Sequence, residues 1–225
     1  MSALADAVRA GLAAAGDPVR AEEMRRYMKS AMPMRGVPKP ARAALVKELF
    51  AEHVFTDRDA WLAAVCELWR GATHREERYV ALDLAGHRRY ARWQAPDLLP
   101  VYEEFVVTGA WWDLVDEIAT HRVSDLLRAR RAELTPVVRA WATDPDRWKR
   151  RTAVLCQLNH KSDTDLDLLT HAIDANAADP DFFLRKAIGW ALRQRAKTDP
   201  GWVREFVGTR PGLSPLSRRE ALKHL

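Results

Sequence analysis

The chain has 225 residues, a net charge of +5 at pH 7 and nine tryptophans. This length suits one large domain or an array of repeats, and the excess of Lys and Arg favours an anionic partner such as nucleic acid. Cys66 and Cys156 stand alone on apolar segments, which argues against a disulfide framework and a zinc site. The lone cysteines indicate a reducing, cytoplasmic compartment, and the Ala-rich start is interrupted by Asp6 and Arg9, so we expect neither a signal peptide nor a membrane span.

Every long segment has the periodicity of a helix, and none has the sustained alternation of a half-buried strand. Helices are predicted over residues 3–14, 18–30, 40–53, 73–87, 96–107, 111–128 and 163–175, and others begin near Thr56, Pro136, Asp144, Pro180, Pro200 and Pro215. The proline-rich stretch 33–40 is predicted to be a loop. Thr73 with Glu76 three residues on is a capping-box pattern, and Gly109 is expected to break the helix before it.

The chain is similar to itself at a spacing of 35 residues. Four segments fall in the same phase, namely residues 78–85, 113–119, 148–154 and 183–189. The alignment places Asp116, Arg151 and Lys186 at equivalent positions. Two helices per unit at such a period are typical of a HEAT-like α-solenoid, whose units bury their apolar faces only by stacking. We therefore predict an all-α solenoid of HEAT-like helical repeats that forms a single domain over residues 1–225, with equivalent helices lining a concave basic groove.

The segment Trp111–Ala119 is the most unusual in the chain. Residues i and i+4 share one helix face, so Trp112 and Asp116 are predicted to project side by side. An aromatic ring face beside a carboxylate can hold a cationic reaction centre. The alternative is that the tryptophan is a core residue and the aspartate stabilises the helix dipole. Trp190 lies beside Gly189, and a glycine inside a helix indicates close packing or a ligand's approach.

Basic residues recur at the repeat spacing, above all in Arg147–Arg151, where Arg150 and Arg151 lie, and again at Lys186. A run of charge is usually a solvated helix face, whereas recurrence favours a stripe that follows a phosphate backbone. Lys39, at the end of the proline-rich loop, is a further exposed basic residue. These four basic residues are the candidate DNA-binding cations.

Six stretches carry a resemblance to a known family: Arg26–Lys29, Trp111–Asp116, Trp148–Leu158, Phe182–Arg193, Ala196–Pro200 and Leu213–Ala221. Together they resemble the bacterial alkylpurine DNA glycosylases of the AlkC/AlkD type, a HEAT-like family, and the AlkD branch most closely. The resemblance implies excision of cationic N3- or N7-alkylated purines from double-stranded DNA, without drawing the base into a deep pocket. It implies Asp116 as the catalytic carboxylate, Trp112 and Trp190 as aromatic residues at the lesion, Arg151 as a phosphate contact and Tyr27 as an aromatic residue of the DNA groove.

The chemistry of such a lesion agrees with a carboxylate at position 116. An alkylated purine already carries positive charge, so it leaves without a general acid, and the sugar becomes an oxocarbenium ion that the enzyme must stabilise. No lysine has to attack the sugar and no metal or organic cofactor is required, so we expect a monomeric, monofunctional enzyme. The alternative is a non-catalytic solenoid that binds DNA or a protein. Asp116 discriminates between the two, because phosphate binding gains nothing from an anion in a basic groove.

Overall fold

The structure is a computed structural model that describes residues 2–225. Over these residues the chain forms 14 α-helices and no strand, so the all-α prediction is confirmed. The helices are α1 Ala3–Ala14, α2 Pro18–Met28, α3 Lys39–Glu52, α4 Arg58–Arg70, α5 Arg75–Ala85, α6 Leu99–Gly109, α7 Trp112–Glu117, α8 Ser124–Ala129, α9 Arg131–Trp141, α10 Arg147–Leu155, α11 Leu166–Asp174, α12 Phe182–Ala196, α13 Pro200–Gly208 and α14 Pro215–Ala221. A π-helical segment, Ile118–Val123, joins α7 to α8, and 3₁₀ segments lie at Arg88–Trp93, Pro96–Leu98 and Lys161–Asp163. None of the helices in the described part of the chain combines the length and apolar character that crossing a membrane requires.

The helices group into two compact units, the first running to Gln94 and the second from Ala95 to Leu225. In the first unit the indole of Trp61 is fully buried and donates to the carbonyl of Leu84 at 3.3 Å. In the second unit every helix from α6 to α14 contributes buried apolar side chains to the core. The prediction that residues 1–225 form one domain stays a prediction.

Aspartate side chains begin six of the helices. As N-cap residues they accept backbone N–H groups that have no partner inside the helix. They are Asp17, Asp57, Asp146, Asp165, Asp181 and Asp199. Four of these helices were predicted to start two or three residues early, because a nearby threonine, proline or aspartate was taken as the boundary instead of the capping aspartate.

The predicted capping box of Thr73 and Glu76 is wrong. His74 is the N-cap residue of α5, and the hydroxyl of Thr73 donates to Glu77 Oε1 at 3.0 Å. Glu76 is fully buried and accepts the backbone N–H groups of residues 35–37 at 2.9 to 3.2 Å. The glutamate therefore closes the proline-rich loop onto the first unit instead of capping its own helix.

Two further boundaries differ from the sequence prediction. Gly109 is the last residue of α6, and the left-handed conformation that ends this helix belongs to Ala110, at φ 38°. Pro136 was expected to open a helix but lies inside α9. Leu134 and Val138 are buried on either side of it, so packing on both sides holds the helix through the proline.

Contacts at the predicted spacing recur through the second unit. Side-chain hydrogen bonds join residues 31 to 36 positions apart, including Arg128 to Asn159, Arg147 to Asp181, Asn176 to Ala142, Arg195 to Lys161 and Arg210 to Asp174. Each bond connects one helix pair to the next, which is the pattern that stacked repeats produce.

Candidate functional site

An open cleft of about 240 Å³ in the second unit brings together four of the eight residues that the sequence singled out. We call it the aromatic cleft. It is lined by Trp112, Arg151, Phe182, Phe183, Lys186, Trp190, Arg193 and Glu220. Trp112 is the first residue of α7 and Trp190 lies in α12, and both are half-buried, so neither belongs to the buried core.

Asp116 does not line the cleft itself but forms a two-pronged ion pair with Arg151, which does. Arg151 Nε donates to Asp116 Oδ1 at 2.7 Å, and Arg151 Nη2 donates to Asp116 Oδ2 at 2.8 Å. Arg151 Nη1 also donates to the carbonyl oxygen of Phe183. The arginine side chain is only 6% exposed and the aspartate 15%. Three helices from successive repeats, α7, α10 and α12, are thereby fixed to one guanidinium.

Burial dominates the electrostatics of this carboxylate. Desolvation raises the pKa of Asp116, and the hydrogen bonds and charge of Arg151 oppose that rise without cancelling it. The negative charge is therefore poorly solvated by its surroundings. Such a charge gains more from a nearby cation than the same group in water would.

The backbone beside Asp116 is irregular. The π-helical segment Ile118–Val123 begins two residues after the aspartate. Within it, the hydroxyl of Thr120 donates to the carbonyl of Asp116 at 2.7 Å, and Asn159 Nδ2 donates to the carbonyl of Thr120 at 3.0 Å. Such π-segments occur frequently at functional sites, and here the irregular turn is held by the following repeat. Nothing in the apolar spacing predicts it.

A cluster of aromatic rings supports the cleft from one side. Trp111 lies 5.4 Å from Phe183 and 6.1 Å from Trp148 between ring centroids, and Trp148 lies 5.0 Å from Phe183. Phe182 meets Phe183 edge to face at 5.6 Å and is 56% exposed. The two adjacent tryptophans that opened the unusual segment therefore have different places, with Trp111 in the cluster and Trp112 in the cleft. The exposed phenylalanine was not singled out from the sequence, although its motif was.

The close packing of α12 against α14 explains the glycine at position 189. A Cβ at this position would lie 2.5 Å from Glu220 Cβ and 3.1 Å from the carbonyl of Ser217, both on α14. The close approach of α14 carries Glu220 into the cleft, where its carboxylate pairs with Lys186 Nζ at 2.9 Å and with Arg193 Nη1 at 2.5 Å. The hydrogen bond from Lys186, and to a lesser extent the one from Arg193, holds the pKa of Glu220 below its ordinary value.

The other predicted DNA-binding residues lie outside the aromatic cleft. Arg150 donates to the carbonyl of Asp144 at 2.8 Å and to Asp179 Oδ2 at 3.1 Å. Lys39 begins α3 in the first unit and is exposed. Tyr27 lies on α2, also in the first unit, and is 77% exposed.

Neither cysteine is placed for chemistry at this site. Both are buried, and burial raises the pKa of the Cys156 thiol to about 12. Across residues 2–225, no group of three or more His, Cys, Asp and Glu side chains is arranged to hold a metal ion.

Comparison with known proteins gives one consistent result. The model of a family described as DNA alkylation repair enzyme matches residues 8–225. A solved structure described as "Predicted DNA alkylation repair enzyme from Enterococcus faecalis" is 34% identical in sequence and superposes with a TM-score of 0.84, covering 93% of this chain and 96% of that one. None of the curated protein sequences matches this one.

Proposed function

The chain belongs to the DNA alkylation repair enzyme family, and on that premise we propose that it is a DNA glycosylase for cationic N3- or N7-alkylated purines in duplex DNA. Its place in this family makes it an enzyme of DNA alkylation repair. The observation that carries the finer proposal is the buried carboxylate of Asp116, held by Arg151 at a cleft with two half-buried tryptophans. A surface that only binds phosphates would be weakened by such an anion.

The reaction follows from where charge moves. The bond between the sugar C1′ and the purine nitrogen breaks with its electron pair on the base, which leaves neutral because it began as a cation. The sugar is left as an oxocarbenium ion, and a water molecule adds to C1′ and gives up a proton. Asp116 stabilises that cation, aligns the water and accepts its proton. Its poor solvation makes it more effective, because stabilisation that increases in the transition state is what lowers the barrier.

The two tryptophans are proposed to flank the lesion. Indole faces attract cations, and the attraction is larger where water is partly excluded. Trp112 and Trp190 present such faces to the alkylated base or to the sugar. The cleft is open and holds only about 240 Å³, which supports a mechanism without a deep base pocket.

Arg151 is proposed to have two roles. A guanidinium has five N–H donors. Three bonds inside the protein, two to Asp116 and one to Phe183, leave donors on the same group, and the group lines the cleft. It therefore fixes the carboxylate and can also donate to a phosphate beside the lesion. Lys186 and Arg150 are proposed to contribute further phosphate contacts after exchanging partners.

The recurring contacts between helix pairs support a HEAT-like α-solenoid, and the quoted motifs support the AlkD branch of the family. We also propose that the enzyme acts as a monomer and leaves the DNA strand uncut, since the mechanism uses water and no amine nucleophile. No cofactor enters this mechanism.

The proposal is tested by incubating the protein with duplex DNA that carries 7-methylguanine. We expect free 7-methylguanine in the supernatant by mass spectrometry, together with an abasic strand that breaks only on treatment with alkali. Strand cleavage without alkali would contradict the monofunctional mechanism. Tight duplex binding with no base release above the spontaneous rate would favour the non-catalytic scaffold instead.

A further inference from the structure

Glu220 brings a negative charge into the aromatic cleft itself. Its carboxylate pairs with two cations of α12, through Oε1 with Lys186 Nζ at 2.9 Å and through Oε2 with Arg193 Nη1 at 2.5 Å. The glutamate side chain is 17% exposed, and it lines the cleft together with both cations. Its pKa lies below the ordinary value, mainly because of the hydrogen bond from Lys186, so the carboxylate is ionised at neutral pH.

The backbone fixes the position of this carboxylate. Ser217, on the same helix as Glu220, donates from Oγ to the carbonyl of Arg185 on α12 at 2.9 Å. Arg218 Nη1 donates to the carbonyl of Val207 on α13 at 3.0 Å. The close approach of α14 also requires a glycine at position 189, although a glycine inside a helix is less stable than an alanine. Helix α14 therefore holds Glu220 at the cleft instead of leaving it on a mobile end.

The charges in and beside the cleft follow an order along four helices. Asp116 is on α7, Arg151 on α10, Lys186 and Arg193 on α12, and Glu220 on α14. The outer two helices of the four thus supply carboxylates, and the middle two supply cations. The five groups carry a net charge of +1, and without Glu220 they would carry +2.

This balance matters for a substrate that is itself a cation. A positively charged base in the cleft is repelled by every cation that has no compensating partner. Arg151 is compensated by Asp116, and Lys186 is proposed above to exchange its partner for a phosphate. Arg193 then depends on Glu220 alone. Removing the glutamate would expose the base to the full charge of that arginine.

We infer that Glu220 is a specificity residue, which compensates Arg193 and Lys186 and thereby lets the cleft accept a positively charged base. A neutral base gains almost nothing from this compensation, so the residue favours alkylated purines over ordinary ones. The inference rests on the glycosylase function proposed above. It adds a group that acts on recognition of the charged lesion and takes no part in breaking the bond.

The test compares two duplexes that differ in the charge of one base. One contains 7-methylguanine and the other its uncharged isostere 7-methyl-7-deazaguanine, each on a 2′-fluoro sugar that destabilises the oxocarbenium ion and so prevents loss of the base. The measured quantity is the ratio of the two affinities, in which phosphate contacts cancel. In Glu220→Gln the preference for the cationic duplex should fall by about 5- to 15-fold, the effect of one unit charge within about 10 Å in partly shielded surroundings.

Three further variants show whether charge at the cleft is the cause. Asp174→Asn is the matched control, because Asp174 also pairs with an arginine of another repeat, Arg210 at 2.7 Å, but lies outside the cleft, and its affinity ratio should stay unchanged. Arg193→Gln removes a cation and should raise the preference for the cationic duplex. Glu220→Gln/Arg193→Gln removes both charges of the pair and should restore most of the preference that Glu220→Gln loses.

Undamaged DNA provides a second readout, which a merely structural role would move in the opposite direction. Removing the carboxylate leaves Lys186 and Arg193 free to contact phosphates. Glu220→Gln should therefore bind an undamaged duplex as tightly as wild type or more tightly, with a steeper slope of log K against log salt. Weaker binding to both lesion duplexes and to undamaged DNA, together with a lower melting temperature, would show that Glu220 only holds α14 in place and would overturn the inference.

The outcomes also separate this inference from the glycosylase proposal, because the affinity ratio requires no excision. An unchanged ratio in Glu220→Gln, or an equal fall in Asp174→Asn, would overturn the role of Glu220 even in a protein that releases 7-methylguanine from ordinary duplex DNA. A wild-type protein with no preference for the cationic duplex would overturn it as well. A ratio that falls only in Glu220→Gln, in a protein that releases no base, would retain charge recognition and count against the glycosylase.

Discussion

Replacing Asp116 with asparagine removes one negative charge beside the aromatic cleft and changes the side chain's shape very little. The carboxylate now accepts two hydrogen bonds from Arg151, at 2.7 and 2.8 Å. An amide keeps one acceptor oxygen and turns its NH₂ group towards the other donor. The substitution therefore perturbs both the proposed chemistry and the local packing, and the two effects must be measured separately.

Their magnitudes follow from the geometry. Losing one preorganised electrostatic group costs about 2–4 kcal/mol in barrier, which corresponds to a rate reduced by about 30- to 1000-fold. One buried N–H of Arg151 is left without an acceptor, which should lower the free energy of unfolding by about 1–3 kcal/mol. The loss of charge itself adds little to that cost, because burial already disfavours the ionised form of Asp116.

The assay is the single-turnover release of 7-methylguanine from a duplex at saturating enzyme, well below the melting temperature of the variant. Asp179→Asn is the matched control, because Asp179 also accepts from an arginine, but its partner Arg150 does not line the cleft, whereas the partner of Asp116 does. The control should lose no more than about 1 kcal/mol of stability and keep its rate. Equal rates for wild type and Asp116→Asn would refute the catalytic role and leave the aspartate as a structural partner of Arg151.

Four further outcomes are expected. Trp112→Ala or Trp190→Ala should slow excision by about 2- to 30-fold, the scale of a partly desolvated cation–π contact, while binding to undamaged DNA holds; a collapse of the melting temperature would assign that tryptophan to the core. Arg151→Ala should abolish most excision and make the slope of log K for duplex binding against log salt shallower by about 1. An unchanged slope would show that Arg151 only holds Asp116 and does not contact a phosphate. Since burial raises the pKa of Asp116 above 3.8, excision should fall as pH drops through that raised pKa. The contribution of this group to stability is present at low pH and is lost as pH rises through the same pKa; it is measured as the difference in melting temperature between wild type and Asp116→Asn, because carboxylates with lowered pKa values such as Glu220 act in the opposite sense. A difference that favours wild type more at high pH than at low pH would contradict this. Gly189→Ala should lower the melting temperature despite the better helix propensity of alanine, because its Cβ would meet α14 at 2.5 Å, and an increase would show that the close approach is easily relieved.

The sequence predicted the fold well where apolar periodicity alone decides it. Helix α1 was predicted with its observed bounds, Ala3–Ala14, and the 35-residue offset placed Asp116 and Arg151 at equivalent positions of two helices, which the structure joins by an ion pair. The sequence prediction failed where two residues had similar local patterns and tertiary contacts decided the role of each. Glu76 had the spacing of a capping residue, yet its carboxylate accepts hydrogen bonds from the backbone N–H groups of residues 35–37, which need an acceptor when the loop is buried.

At the site, the sequence motifs predicted part of the set of residues that meet. Arg151 and Lys186, which recur at the repeat spacing, line one cleft with Trp112 and Trp190, whereas Arg150, Lys39 and Tyr27 lie outside it. The role of Glu220 could not be predicted from the sequence, because it depends on how closely α14 approaches α12. The pattern of a single sequence does not give the distance between two helices. The π-helical turn after Asp116 was likewise invisible, since it arises from hydrogen bonds to the next repeat.

Charge shows most clearly why sequence and structure must be combined. A run such as Arg147–Arg151 has the same composition whether it faces DNA or neighbouring acidic side chains, and here it faces the acidic side chains. An array of stacked repeats can use Asp–Arg pairs to fix one repeat to the next, so its basic residues are not all available to a polyanion. What distinguishes Asp116 is that its pair is the least exposed of these and opens onto a cleft with two tryptophans. The same type of pair that elsewhere joins repeats is, at this position, placed to stabilise a cation.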